Sequence, residues 1–247
     1  RQRALRLAGD PDVMLPPDGA AYVLLRDPLY HGQGVLEAKC LGCHVYGGKG
    51  VGKQVASDLK DFGSRAWVRG LLDNPQAPAY FGTVFKPEDS GMAEWKKGSK
   101  MTAKQLDDVA DFVAGFARVP ADQTLDEWLA TPGVGDHPGA ELFKKNCGTC
   151  HALGELGEGG MRDAPGLFGW GSDWWIARMI RKPGAPDLYQ YLDEEKRMPA
   201  FAGQLTDNDV QTVVRFLRND YPGAPGRAPA PSKPAAPSVA SAGSGGK

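Results

Sequence analysis

Apolar side chains recur at three- and four-residue intervals in two stretches of the chain, as they do on one face of an amphipathic helix. These positions are Leu106, Val109, Phe112, Val113 and Phe116 in the first stretch, and Val210, Val213, Val214 and Leu217 in the second. A threonine precedes each stretch, and its hydroxyl can cap the free amides of a first helical turn. We therefore predict two core-facing helices, from Thr102 to Ala117 and from Thr206 to Asn219.

The two predicted helices close two copies of one repeat. Residues 63–78 align without gaps with residues 171–186, and Trp67 and Trp175 occupy the same place on a middle helix that ends at a proline. Each copy opens with a shorter helical run, over His31 to Lys39 and over Gly139 to Asn146. Because no long strand-like alternation occurs, the sequence predicts a mostly α protein with two tandem domains.

Charge and composition narrow the function classes. The 247 residues carry 29 basic and 30 acidic side chains, a formal net charge of -1. A nucleic-acid-binding protein normally shows a basic excess, so nucleic acid is not an expected partner. No run of about eighteen apolar residues occurs, so no membrane-spanning helix is predicted in the chain as given. No signal pattern follows Arg1, and we interpret this start as a processed or cut end.

All four cysteines fall in two Cys-x-x-Cys-His motifs. Two thiols one helical turn apart can reach the two vinyl groups of one porphyrin, and the adjacent histidine can bind the iron. The motifs therefore predict two covalently bound haem c groups. The attachment sites are Cys40, Cys43, Cys147 and Cys150, and the proximal ligands are His44 and His151.

Two other kinds of protein site also use paired cysteines, a zinc site and a thioredoxin-like redox site. A zinc site would bring both pairs to one metal ion, but two widely separated pairs that each have their own histidine fit this arrangement poorly. A thioredoxin-like redox pair would follow a strand and would need no histidine after it. Haem attachment is the interpretation that uses every cysteine and both adjacent histidines.

A six-coordinate haem iron needs a second axial ligand, for which methionine is the expected residue. Met198 stands before a proline in the loop that leads to the last helix. In the first copy Met92 lies at nearly the same distance beyond His44 as Met198 lies beyond His151, whereas Met101 directly precedes the closing helix, where a core residue is expected. We predict Met92 and Met198 as ligands and keep Met101 as the alternative.

Two further histidines offer another ligand set. His31 and His137 precede their cysteine pairs by similar distances, near the start of each opening helix. Bis-histidine ligation of both haems is therefore a second possibility, although a histidine at the start of a helix more often lies at the surface or acts as a cap.

The haem motif, the methionine loop and the final helix make each half resemble a class I cytochrome c domain. The resemblance covers about residues 29–119 and 137–222. Met198 is followed by a proline, as is usual in that family, whereas Met92 is followed by an alanine. The family also implies that a proline carbonyl supports the proximal histidine. Pro165 fits that role, and the repeat places Ser57 there in the first copy.

The resemblance divides the chain into five parts. The predicted domains are joined by a short linker, 120–136, which includes a helical run from Leu125 to Ala130. Residues 223–247 are rich in proline, alanine, serine and glycine, and this tail is expected to be disordered. The parts are an N-terminal extension (1–28), domain 1 (29–119), the linker (120–136), domain 2 (137–222) and the tail (223–247).

A narrower resemblance implies a place in a respiratory chain. The segments Asp27–Tyr30 and Gly169–Trp175 are similar to two-haem extensions of cytochrome b in bacterial bc-type quinol-oxidising complexes. It implies single-electron transfer from a cytochrome b or Rieske-type donor to a cytochrome c or oxidase acceptor. Residues 1–28 would continue from a membrane helix. Because haem c is attached outside the cytoplasm, the family implies the periplasm or the exterior face of the membrane.

A two-haem enzyme is the alternative function. A peroxidase or a sulfur-compound oxidising cytochrome would need one open haem face and an acid or base group above it. Carboxylates occur in the relevant loops, but exposed carboxylates in such loops are usually only solvated. They are Asp89, Glu94, Glu155 and Glu158. We therefore predict an electron-transfer protein rather than an enzyme.

Overall fold

The protein is described from a computed structural model that covers residues 2–8, 19–157, 164–221 and 224. These residues form helices and connecting loops, and their β-pairing is limited to isolated bridges such as the one between Val45 and Asp58. The predicted mostly α fold is confirmed. Apart from Ala224, the tail predicted over 223–247 lies outside the described residues.

Ten helices follow in order along the described chain. Helix α3 runs over 28–40 without a break, as the turns Pro28–Gly32, Gln33–Val35 and Leu36–Cys40, of which the outer two are π-helical. The other helices are α1 (Gln2–Ala8), α2 (Gly19–Leu25), α4 (Arg65–Asp73), α5 (Gly91–Gly98), α6 (Ala103–Gly115), α7 (Leu125–Leu129), α8 (Pro138–Asn146), α9 (Asp173–Arg181) and α10 (Asp207–Leu217).

Hydroxyl caps set the starts of the repeated helices. Ser64 and Ser172 accept hydrogen bonds from the tryptophan amides at the starts of α4 and α9. Thr102 and Thr206 each complete a capping box at the starts of α6 and α10, which satisfies two free amides at once. The helix starts predicted from these threonines are confirmed.

The two repeats meet at a cluster of aromatic rings. Phe62 lies 4.8 Å from Trp170 and 5.0 Å from Trp67 between ring centroids, and Trp67 lies 5.6 Å from Trp170. Gly63 and Gly171, which are equivalent in the repeat, touch each other beside this cluster with positive φ angles. A side chain at either glycine would strain the positive-φ backbone, and its Cβ would stand 3.3–3.4 Å from the other glycine's Cα.

The opening helices cross the closing helices in an exchanged manner. Helix α3 of the first copy packs on α10 of the second, and α8 of the second copy packs on α6 of the first. The sequence pattern gives each of these helices an apolar face but does not specify its partner. The exchange therefore emerges only from the three-dimensional structure.

The N-terminal helices are tied to this body by one buried ion pair. Asp27, whose side chain is wholly buried, accepts hydrogen bonds from Arg3, with a distance of 2.7 Å from Oδ1 to one guanidinium nitrogen. Within the described residues, no helix combines the length and apolar character needed to cross a membrane.

Candidate haem sites

Both Cys-x-x-Cys-His motifs adopt the same backbone turn. The amide of His44 donates to the carbonyl of Cys40 at 2.9 Å, and the amide of His151 donates to Cys147 at 2.9 Å. The first cysteine of each motif sits at the end of its helix, α3 or α8. The helices therefore fix the position from which each motif begins.

Each proximal histidine is oriented by one backbone carbonyl. Nδ1 of His44 lies 2.8 Å from the carbonyl oxygen of Ser57, and Nδ1 of His151 lies 2.9 Å from that of Pro165. With the proton on Nδ1, the imidazole donates this bond and leaves Nε2 free to bind a metal. The predicted carbonyl partners, including the serine in place of the usual proline, are confirmed.

Burial keeps these imidazoles in the neutral form that binds iron. It lowers the pKa of His44 and of His151, although the hydrogen bonds to the carbonyls act in the opposite direction. Protonation would otherwise compete with a metal for the ring nitrogen. Both histidines are thus prepared as ligands at neutral pH.

The buried thiols are poorly suited to act as free thiolates. Burial raises the pKa of Cys40 to about 11 and that of Cys147 to about 12. Zinc ligation requires deprotonated thiols, which a positive or metal-bearing environment normally favours. No cluster of three or more potential metal-binding side chains occurs in the part of the chain that the structure describes. Each pair instead has its own adjacent histidine, as thioether attachment of one haem to each motif requires.

Glycines let a loop lie directly on each motif. A Cβ at Gly52 would stand 2.5 Å from the carbonyl oxygen of Gly42, and one at Gly157 would collide with that of His151. The Asp58 carboxylate accepts hydrogen bonds from the amides of Gly47 and Gly48, both at 2.8 Å. The glycine-rich loop backbone can therefore lie in direct contact with the motif backbone.

The two predicted methionine ligands follow equivalent local structures. A 3₁₀ turn, Pro87–Asp89 or Glu194–Lys196, precedes Met92 and Met198, and both side chains are half-buried against the core. They differ in backbone, since Met92 lies in α5 and Met198 lies in an extended loop.

Met101 occupies a different place. It directly precedes the cap residue Thr102, as Leu205 precedes Thr206, and it also packs against the core. The structural parallel pairs Met92 with Met198 and supports the preference for Met92, which stays a prediction.

Among the described atoms, three buried nitrogens have neither a hydrogen-bond partner nor an ion-pair partner, since the buried Arg69 Nη1 pairs with Asp73. They are Nε1 of Trp175, Nε2 of Gln76 and Nε of Arg197, the last of which adjoins Met198. Such donors are rarely left unpaired in a native protein. The propionate groups of a haem are acceptors of the kind that these nitrogens require. The polar residues present therefore fit a haem, a role that the sequence pattern did not assign to them.

The remaining candidate residues have other roles. His31 Nε2 lies 2.6 Å from Asp209 Oδ1, and His137 Nδ1 accepts the Gly139 amide at the start of α8. Each of these two histidines therefore has a ring nitrogen engaged in a contact outside the haem motifs, and the bis-histidine alternative stays untested. The loop carboxylates Asp89, Glu94 and Glu155 are exposed, and Glu158 lies outside the described residues.

Comparison with known families assigns both halves. Residues 30–116 match the cytochrome c family, and residues 136–217 match the family described as cytochrome c oxidase, cbb3-type, subunit III. The chain is 26% identical over 196 residues to the cbb3-type cytochrome c oxidase subunit FixPc of Rhizobium leguminosarum bv. viciae, which covers 76% of this chain and 59% of FixPc. It thus spans less than two thirds of that relative.

A second relative is a small carrier. The chain is 29% identical over 104 residues to cytochrome c6 of Synechococcus sp., which covers 38% of this chain and 80% of that protein. No solved structure matches the chain. Together with the fold, these matches show that the chain consists of two tandem cytochrome c domains, which carry two covalently bound haem c groups.

Proposed function

We propose that the chain passes single electrons between a membrane quinol-oxidising complex and a downstream carrier or terminal oxidase. The donor would be a cytochrome b or Rieske-type protein, and the acceptor a cytochrome c or an oxidase. The chain would work in the periplasm or at the exterior face of the cytoplasmic membrane, as a redox subunit without a substrate of its own.

The matched support of the two proximal histidines is the observation that carries this proposal. His44 and His151 are both buried and both anchored through Nδ1 to a backbone carbonyl. A fixed imidazole resists the rearrangement that a change of iron charge would otherwise drive, which favours rapid electron transfer. Neither site is distinguished as the one that opens to a substrate.

The protein side of the chemistry follows from the ligands and the burial. When bound, each haem supplies a one-electron iron couple. A thioether from Met92 or Met198 would raise the reduction potential relative to a second imidazole. Donors such as Nε of Arg197 would hold the propionates, and the glycine-lined loops would exclude water.

The two ends of the proposed pathway have different support. The printed names of FixPc and of the family that matches residues 136–217 concern an oxidase, which supports an oxidase as acceptor. The quinol-oxidising donor is supported by the resemblance of Asp27–Tyr30 and Gly169–Trp175 to cytochrome b extensions.

An optical redox titration of the holoprotein tests this function. We expect two high-potential haems that both show the methionine-to-iron absorption band in the wild type. Met92→Ala should remove that band from one haem, and Met198→Ala should remove it from the other. The reason is that each substitution removes one thioether ligand. Met101→Ala is the matched control and should keep both bands.

Two outcomes would contradict these expectations, and only the first would overturn the proposed function. A wild-type haem that is high-spin, or that readily binds carbon monoxide or peroxide, would favour the two-haem enzyme. A band that is lost in Met101→Ala but kept in Met92→Ala would leave electron transfer intact and overturn only the ligand assignment.

A further inference from the structure

The crossing of α3 and α10 brings two backbones into contact. Gly32 lies on α3, eight residues before Cys40, and a Cβ at this position would collide with the carbonyl oxygen of Thr212 and stand 3.0 Å from Cβ of Phe216. Only a glycine allows the helices to approach this closely. The first haem motif therefore extends from a helix that is seated on the last helix of the other repeat.

The second crossing repeats the first with the copies reversed. Gly139 lies on α8, eight residues before Cys147, and a Cβ there would collide with the carbonyl oxygen of Asp108 and stand 2.6 Å from Cβ of Phe112. Phe112 and Phe216 thus occupy equivalent places on α6 and α10. Two independent crossings of the same geometry make the exchange a property of the whole fold.

Side chains extend the first crossing towards the haem motif. The ring of Tyr46, two residues beyond His44, lies 5.4 Å from the ring of Phe216. At the outer end of the crossing, His31 contacts Asp209 at 2.6 Å and the Asn208 amide donates to the Leu25 carbonyl at 2.8 Å. Contacts with α10 are therefore made at both ends of this segment, near the start of α3 and just beyond the proximal histidine.

The second crossing is packed by aromatic rings. Phe143 of α8 lies 5.9 Å from Phe112 and 6.3 Å from Phe116, and it is fully buried. It precedes Cys147 by one helical turn. The orientation of the second motif is thus set by α6, which belongs to the first repeat.

The closing helices remain bound to the middle helices of their own repeats. Arg65 and Arg69 of α4 pair with Asp107 of α6 at 3.2 and 2.8 Å. Arg181 of α9 pairs with Asp207 of α10 at 2.7 Å. Each closing helix consequently links the middle helix of one repeat to the haem-bearing helix of the other.

We propose that the closing helix of each repeat positions the haem of the other repeat. Phe216 is then a positioning residue for the haem attached at Cys40 and Cys43, and Phe112 is one for the haem at Cys147 and Cys150. Each acts through the haem-bearing helix that it supports, so a change at either ring tilts the distant motif and its histidine.

The test requires that the two haems be told apart in the full chain. Cys43→Ala leaves one vinyl group conjugated with the first porphyrin, which shifts its absorption to longer wavelength and marks that haem. Cys150→Ala marks the second haem in the same way. In each marked background, the midpoint potentials of both haems are measured for Phe112→Leu and for Phe216→Leu, which serve as controls for each other.

We expect Phe216→Leu to shift the midpoint of the first haem and leave the second in place, and Phe112→Leu to do the reverse. The opposite assignment, equal shifts of both haems, or no shift in either variant would overturn the proposal. These outcomes are independent of which redox proteins are the partners, so they do not test the proposed function.

A cut in the linker provides a second measurement that requires no haem marking. A protease site inserted at Pro132–Gly133, which are exposed, would divide the chain between the repeats. We expect the two fragments to elute together under native conditions with both haem spectra unchanged, since each fragment completes the helix pairs of the other. Separation into two folded one-haem proteins would contradict the exchange.

Discussion

The imidazoles of His44 and His151 receive the same support from different residues. A backbone carbonyl accepts the Nδ1 proton in both cases, from Ser57 in one and from Pro165 in the other. Because every residue carries a carbonyl, the side chain at this position matters only for holding the loop. The departure from the family's usual proline therefore leaves the hydrogen bond intact.

A carboxylate at the first crossing should make stability depend on pH. Burial acts to raise the pKa of Asp209, but hydrogen bonds from Thr206 and His31 outweigh it and leave that pKa below its ordinary value. The carboxylate thus stabilises the fold above the unfolded-state pKa of about 4, and this contribution is lost as the pH falls through the lowered folded-state pKa.

We therefore expect Asp209→Asn to reduce the free energy of unfolding by on the order of 1 kcal/mol at neutral pH. The difference from the wild type should shrink towards zero as the protein is acidified. Denaturant unfolding at a series of pH values measures this difference in the free energy of unfolding. His31→Gln is the matched variant, because it removes the histidine contact and keeps the capping box. A difference that persists undiminished below about pH 3 would show that charge is not its cause.

At the scale of single residues, the sequence predicted the chemistry well and the geometry in part. Cysteine spacing specifies haem attachment because the two thiols must match one porphyrin. It contains no information on Arg197 or Gln76, whose unpaired nitrogens become visible only when burial is known. A sequence does not distinguish a polar residue that is solvated from one that is buried and hydrogen-bonds to a ligand.

At the scale of helices, the apolar periodicity and the capping residues predicted which helices exist and where they start. They did not predict which helix packs against which. Thr102 and Thr206 mark the beginnings of α6 and α10 because capping is a local interaction. The apolar face of α10 is equally local, yet its match to α3 depends on Gly32 lying against Thr212. A single sequence does not indicate which of two similar opening helices each closing helix selects.

Two glycines on α3 should respond in opposite directions to the same substitution. Gly32→Ala should lower the free energy of unfolding by about 1–3 kcal/mol, because its new methyl group overlaps α10. Gly34→Ala should raise it by up to about 1 kcal/mol, since space around Gly34 is open and alanine favours a helix. Urea unfolding of both variants measures the contrast. A stabilised Gly32→Ala protein would mean that the two helices do not approach closely.

At the scale of the whole molecule, the repeats do not form separable halves. Two helix crossings and the rings of Phe62, Trp67, Trp170 and Trp175 join them. Neither repeat contains both helices of a crossing. Loss of one repeat would leave the apolar faces of the other without partners.

We therefore expect thermal unfolding in one cooperative transition. Helical circular dichroism and the absorbance of both haems should change with a common midpoint, and the calorimetric and van't Hoff enthalpies should agree. Gly34→Ala is a useful control, because a local change in α3 should move every signal together. Two resolved transitions, one for each haem, would contradict this prediction.

The long separation between His31 and Asp209, 178 residues along the chain, also sets an order of events during biosynthesis. The first haem motif is made well before α10, the helix that packs against it. The second motif emerges when its partner α6 already exists. Of the two haem sites, the one encoded first is therefore completed last, after α10 has been made.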